Sequence, residues 1–576
     1  MSYQLKQAVV IGAGTMGAAL AAHLANAGVR VTLLDIVPKT LTPAEEKAGL
    51  TLGDAAVRNR IAREGLERAV KSRPASFFTA DHARLVTTGN LVDNLDAAAT
   101  ADWVIEAIIE NLKIKQSLMA RLDELRGPRT IISTNTSGIP VGAIASGRSE
   151  GFRQHFLGAH FFNPPRYLKL LEIIPTPDTL PEVVAFLAAT GERRLGKGIV
   201  MCKDTPNFIA NRLGSVSGAF GVDFILEHGY TVKEVDTITG PVMGRPKTAT
   251  FRLLDLVGID VWDHVGGNLA AAIPHDAHAQ RYLTAEAPNK LLHTMLEKGW
   301  LGNKTQTGFY KTVVSEGQKE FWELNLATLE HETPQKARFA SIGKARDRET
   351  LKERLEILLS AEDRAGDLAR ALVYEGLAYA SLVIPEVADT PKPIDDAMRW
   401  GFNHEAGPFE TWDLLGVAAT VERMRAAGFE PAPWVDAMLK KGYTSFYRNG
   451  DVYHPAKEAY LPIEAGTPRV VLSHVRKSGG VIASNPSATL LDLGDGVACV
   501  EFRTKMNTLD EDIGRMVDEA LTRVDADFEG LVIGNDADNF SAGANLFLVV
   551  MNAQAGQWDA LEAMLGGLQD LHMRMR

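Results

Sequence analysis

The chain has 576 residues, 45% of them hydrophobic and 23% charged, which is ordinary globular material with length for roughly three or four domains. A net charge of −11 and a pI near 5.8 exclude nucleic acid and anionic membrane surfaces as expected partners, since both need clustered Lys and Arg. Two cysteines without metal-ligand spacing, no signal-like or transit-like start and no long apolar stretch lead to the expectation of a cytoplasmic protein without a disulfide framework, metal site or stable membrane insertion.

In chain order, the apolar run Val9-Val10-Ile11 leads into Gly12-Ala13-Gly14-Thr15-Met16-Gly17, and "AALAAHLANAG" follows with helical composition. This is strand, glycine turn and helix, in which Gly12 permits the turn, Gly14 admits a pyrophosphate and Gly17 lets the helix pack closely. Free N–H groups at the helix start favour phosphate. The next strand, "VRVTLLD", ends in Asp35, where an acid binds a ribose 2′-OH and repels a 2′-phosphate, so NAD is expected over NADP. Gly12, Gly14, Thr15, Met16, Gly17 and Asp35 are therefore expected cofactor contacts. The charged stretch 43–72 reads as an inserted helical pair. "ADWVIEAIIEN" reads as a buried strand ending in Glu110, and "RTIISTNTSGIP" as a strand running into Asn135, Thr136 and Ser137, where ligands bind in parallel sheets.

"GAHFFNPPRYLKLLEII" holds His160 and, twelve residues on, Glu172. Taken singly, the first reads as a core histidine and the second as a strand end. Together with the glycine loop, "NTS" and the later "NR", they resemble the 3-hydroxyacyl-CoA dehydrogenase family over roughly residues 5–310. The resemblance implies His160 as general base, Glu172 as its orienting carboxylate, Ser137 and Asn211 as substrate contacts, and Glu110, Lys115 and Asn135 near the cofactor. Oxidising a secondary alcohol requires such a set, because hydride leaves carbon while a base takes the hydroxyl proton, and imidazole titrates in the right range. Without the resemblance, Lys115 reads as solvated, Ser137 as a turn residue and Asn211 as a cap.

After Thr205-Pro206 the pattern turns helical, with Ile209, Leu213, Val216, Phe220 and Phe224 at helical spacing. "GNKTQTGFYK" resembles the family's closing segment, which ends the first helical module near residue 315. Residues 235–261 answer to 394–420, with Asp255 and Gly258 aligned to Asp413 and Gly416, so a second copy of the module is expected. It lacks a second "HFFNP" and a second glycine loop, and reads as scaffold.

Near the carboxyl end, "FSAGAN" resembles the "FSAGAD" of the enoyl-CoA hydratase and isomerase (crotonase) superfamily, with Asn545 in place of the usual Asp. In that superfamily the N–H at the Ala544 position is one donor of an oxyanion hole for the thioester carbonyl. The second donor and the acid/base glutamates lie further on, so hydratase activity is not expected in this chain.

The expected architecture is an α/β Rossmann domain with a helical insertion (1–204), a helical dehydrogenase domain (205–315), its repeat (316–450), a linker (451–486) and the amino-terminal part of an α/β crotonase domain (487–576). The expected function is NAD-dependent oxidation of L-3-hydroxyacyl-CoA to 3-oxoacyl-CoA in fatty-acid β-oxidation. A bacterial multifunctional subgroup with the dehydrogenase first is the nearest resemblance. It is compatible with an acyl-CoA substrate, a homodimer and a thiolase partner. Two alternatives are another NAD-dependent hydroxyacid dehydrogenase acting on a free acid, and a non-catalytic acyl-CoA-binding or assembly subunit.

Overall fold

Short runs, mostly apolar except in the more polar β3, form β1 (Gln7–Ile11), β2 (Arg30–Asp35), β3 (Val86–Asn90), β4 (Trp103–Glu106), β5 (Ile131–Thr134), β6 (Phe156–Phe161), β7 (Leu170–Pro175) and β8 (Gly198–Met201). In the computed structural model, which describes residues 3–315, 318–463, 470–537 and 539–575, these strands build one sheet in the order β3-β2-β1-β4-β5-β6-β7-β8. All neighbours are parallel except β6 and β7. Both faces are covered: Val9, Ile11, Val104 and Ile132 enter one core, while Val10, Ile105 and Ile131 enter another. Double burial explains why these strands read as unbroken apolar runs and not as alternating patterns. The order reverses at β1, which places a crevice beyond the carboxyl ends of β1 and β4. The chain divides into two compact units, residues 1–464 and 465–576.

Two sequence expectations need correction here. The strand expected to end at Glu110 ends at Glu106, because the chain bends at Ala107 to pass the glycine turn, with Ala107 N–H bonded to Ile11 O at 2.8 Å. The insertion comprises two short helical turns, Pro43–Lys47 and Ala55–Arg58, before one longer helix, Arg60–Lys71.

The helical part of the first unit is built around Ala210–Glu227, which packs on Arg364–Leu382. Its apolar positions Leu213, Val216 and Phe220 are buried, as the spacing predicts. The repeat is visible as a duplicated hydrogen-bonding device. Asp255 accepts the N–H groups of Phe309 and Tyr310, both at 2.8 Å, and Asp413 accepts those of Phe446 and Tyr447 at 2.8 and 3.0 Å. Each tyrosine hydroxyl then reaches a second aspartate, Tyr310 to Asp236 at 2.9 Å and Tyr447 to Asp395 at 2.5 Å. Gly258 and Gly416, at φ +105° and +81°, end the preceding helices in a conformation that disfavours a side chain.

Each copy closes with a small antiparallel sheet: Tyr310–Ser315, Gln318–Leu324 and His331–Glu332 in the first, and Tyr447–Arg448, Asp451–His454 and Ala459–Pro462 in the second. Cuts at residues 315 and 450 therefore pass through these sheets, and residues 451–463 are ordered strand and turn where a linker was expected. Strands such as "QKEFWEL" and "AYLP" are short and do not alternate cleanly, which left no periodic signal.

In the second unit, Val481–Ser484, Ala488–Asp492, Val497–Phe502 and Gly530–Gly534 form a four-stranded sheet. The sheet begins before residue 487, so the end of the expected linker also belongs to it. The hairpin turns through Gly494, Asp495 and Gly496, all at positive φ. Helix Glu511–Asp527 buries Ile513, Met516, Val517 and Ala520 against the sheet. Gly530–Gly534 is half-buried where a buried strand was expected. Sheet and helix are consistent with a crotonase-like fold.

Burial pushes the Asp413 carboxyl up to about 6, against the lowering effect of the two N–H groups it accepts. Since the unfolded value is about 3.9, the folded chain holds an extra proton between about pH 4 and 6, and stability from this group falls as pH rises through that window. Thermal melting is expected to show the wild type losing stability relative to Asp413→Asn between those pH values, with a constant difference above about pH 7. Asp413→Ala, which orphans two N–H groups, is expected to cost roughly 2–4 kcal/mol.

Candidate active site

The sheet register brings the two most distinctive residues together. His160 on β6 and Glu172 on β7 are direct partners across the antiparallel pair, so a separation of twelve residues becomes a contact of 2.7 Å between His160 Nδ1 and Glu172 Oε2. Both are buried, Glu172 completely. Glu172 Oε1 accepts the N–H groups of Ile209 and Ala210 at 3.2 and 3.0 Å, where the helix Ala210–Glu227 begins. A helix start leaves N–H groups without intrahelical partners, and the Glu172 carboxylate accepts two of them. An ionised carboxylate only accepts, so the imidazole donates through Nδ1 and keeps its lone pair on Nε2. The neighbouring Cys202 thiol is pushed well up by burial and then by the charge of Glu172, and so stays protonated. The rings of Phe162 and Phe208, 4.6 and 5.6 Å from the imidazole, complete an apolar surround.

His160 lines a cavity of about 350 Å³ together with Met16, Glu110, Asn135, Ser137 and Asn211. Asn211 is the second residue of its helix, which aims the first turn at the cavity. Asn135 Oδ1 accepts the N–H of Phe161 at 2.9 Å and so pins the strand that carries His160. Ser137 donates its N–H and its hydroxyl to Glu110 Oε1 at 2.6 and 3.1 Å. Burial alone raises the Glu110 carboxyl, but Lys115, the Ser137 N–H and Thr136 together hold it below the usual range. Lys115 does not read as solvated: it is buried and pairs with Glu106 at 2.7 Å and Glu110 at 3.3 Å. It therefore acts from behind the cavity wall.

The glycine loop has the shape a dinucleotide needs. A Cβ on Gly17 would lie 1.7 Å from Gly12 O, and one on Gly12, at φ +102°, would lie 2.4 Å from Ala107 O. A Cβ on Gly14 would meet nothing within 4 Å, so the space over the loop is open. Helix Thr15–Asn26 starts there with no side-chain cap, leaving its first N–H groups for phosphate. Asp35 ends β2, and Asp35 Oδ2 accepts the Ala13 N–H at 2.6 Å. Two contributors escaped sequence reading. Gly65 allows the inserted helix to touch the loop, since its Cβ would lie 2.5 Å from Ala13 O, and Arg68 Nη2 donates to that same oxygen at 3.0 Å. Only the charged, amphipathic character of the insertion hinted at a packed face.

Gly17→Ala is expected to remove measurable NADH binding in a fluorescence titration, because the methyl group cannot coexist with the turn. NADPH is expected to bind the wild type at least about 100-fold more weakly than NADH, and Asp35→Ala to narrow that ratio by about tenfold or more.

Comparison with known proteins agrees with the geometry. Residues 7–205 match the family model for the 3-hydroxyacyl-CoA dehydrogenase NAD binding domain, and residues 208–312 that for the 3-hydroxyacyl-CoA dehydrogenase C-terminal domain. Over 578 residues the chain is 41% identical to a probable 3-hydroxyacyl-CoA dehydrogenase of Bacillus subtilis (strain 168), covering 100% of this chain and 72% of that one. It is 30% identical over 586 residues to a putative fatty acid oxidation complex trifunctional enzyme of Rickettsia felis, covering 100% and 74%. Among solved structures, a 3-hydroxybutyryl-CoA dehydrogenase from Escherichia coli K12 is 25% identical with a TM-score of 0.51, over 76% of this chain and all of that one. No helix among the described residues is long and apolar enough to cross a membrane. With an NAD-binding sheet, a helical partner module and a buried histidine–carboxylate pair at their junction, the chain belongs to the 3-hydroxyacyl-CoA dehydrogenase family.

Proposed function

We propose that His160 and Glu172 form the acid/base pair for NAD-dependent oxidation of L-3-hydroxyacyl-CoA to 3-oxoacyl-CoA. The observation that carries this reading is the buried 2.7 Å contact that orients the imidazole beside the cavity. NAD, when bound, accepts the hydride. His160 Nε2 takes the hydroxyl proton, and Glu172 stabilises the imidazolium that results. The Ser137 hydroxyl and the Asn211 amide hold the substrate oxygen against His160. Gly12, Gly14, Thr15, Met16 and Gly17 cradle the pyrophosphate, Asp35 holds the ribose, and Glu110 and Asn135 border the nicotinamide. Lys115 is a positioning residue that fixes Glu110.

The reading extends to the rest of the chain. Domain limits fall near residue 204 and after each closing sheet, and the N–H of Ala544, an exposed residue beside the Leu509 bridge, is one thioester-carbonyl donor. The cytoplasm is the proposed location. The likeness to a putative fatty acid oxidation complex trifunctional enzyme of Rickettsia felis supports association with other fatty acid oxidation activities, and a thiolase and a second copy of this chain are the proposed partners.

NADH formation is expected with 3-hydroxybutyryl-CoA and not with free 3-hydroxybutyrate. His160→Ala is expected to lower kcat by about 10²–10⁴, and Glu172→Gln to lower it with KM little changed. Equal rates for His160→Ala and wild type would overturn the mechanism, and turnover of the free acid would overturn the substrate class.

A further inference from the structure

A second cavity, of about 100 Å³, lies between the two helical modules. Its walls are apolar, formed among others by Leu213, Leu355, Leu377 and Met398, yet two basic side chains, Arg245 and His404, also line it. Among the described residues neither side chain makes a hydrogen bond or an ion pair. Glu405, next in sequence to His404, is engaged by Arg354. Burial pulls Arg245 down to about 10, and burial followed by the charge of Arg245 pulls His404 down to about 3, as expected for a basic pair without a counter-charge. Both side chains are half-buried, and a guanidinium bordered by apolar surface with no carboxylate beside it favours an anion.

We infer that this cavity is a binding site for the carboxylate of a short-chain alkanoic acid, with the head group on Arg245 and the alkyl chain against the leucine and methionine walls. A planar guanidinium matches a carboxylate with two parallel N–H donors. Ser217 and Thr411, each with a hydroxyl able to donate, line the same space. The volume is well below the roughly 300–1,000 Å³ of sites for larger ligands, which restricts the chain length. Gly376 supports the same reading, because a Cβ placed there would meet nothing within 4 Å. The site is distinct from the His160 cavity. Phe402 stands between them, its ring 6.5 Å from Phe162 and 6.1 Å from His404.

Titration calorimetry of the full chain with hexanoate tests this. The wild type and His160→Ala are expected to bind hexanoate alike, Arg245→Gln at least tenfold more weakly, and Gly376→Leu, which fills the open space, not at all. Hexanamide, of equal length without the charge, is expected to bind the wild type at least tenfold more weakly than hexanoate. No binding of hexanoate to the wild type, equal affinity for the amide, or unchanged binding by folded Arg245→Gln or Gly376→Leu would overturn the inference. Loss of binding in His160→Ala would also overturn it, by moving the ligand to the other cavity. Thermal melting of each variant separates unfolding from loss of the site.

Discussion

Glu172 sits where the sheet meets the helices, and its carboxylate touches both. One oxygen holds the imidazole of His160, and the other holds the N–H groups of Ile209 and Ala210. A carboxylate buried this completely must have its lone pairs satisfied, and here they are satisfied from two different elements. The helix start therefore cannot shift without disturbing the tautomer of His160, and Asn211, one residue further on, is placed by the same contact. Arg212 strengthens the arrangement from the other side. It is fully buried and reaches Asp276 at 2.7 Å, Tyr379 at 2.7 Å and Glu386 at 3.2 Å, which ties the start of the helix to the second module.

The second module repeats the aspartate clamp of the first almost atom for atom. Asp255 and Asp413 each gather two consecutive N–H groups from the closing Phe-Tyr, and Asp236 and Asp395 each take the tyrosine hydroxyl. Such a clamp holds a chain segment distant in sequence against a helix end. Two copies back to back give the central helix Ala210–Glu227 partners on more than one side, and leave between the modules the small cavity that contains Arg245 and His404.

Much of this was legible before any coordinates. The glycine loop, Asp35 and the carboxyl-end polar residues of β5 followed from strand, turn and helix chemistry, and the paired Asp-Gly positions disclosed the repeat. The limits were equally physical. Lys115 sits on a charged helix, and nothing in its neighbourhood shows that Glu106 and Glu110 enclose it. Gly65 and Arg68 lie in a segment whose register against the nucleotide loop depends on packing. The strands of the closing sheets are too short to leave a clear period, which is why residues 315 and 450 were poor boundaries.

What the sequence alone determined is chemistry that is local along the chain. Gly12 and Gly17 specify a turn that excludes side chains, and Asp35 sits at a fixed distance beyond it. His160 and Glu172 stand in apolar surroundings, but their spacing of twelve residues does not by itself say that they meet. What only the tertiary structure decided is which polar groups share an electrostatic environment. The β6–β7 register made His160 and Glu172 opposite partners, the helix start supplied the donors that keep the carboxylate in place, and the meeting of two modules left Arg245 without a counter-charge among the described residues. Each outcome depends on distances between segments far apart in sequence, and pair interactions in a low-dielectric interior change steeply over those distances.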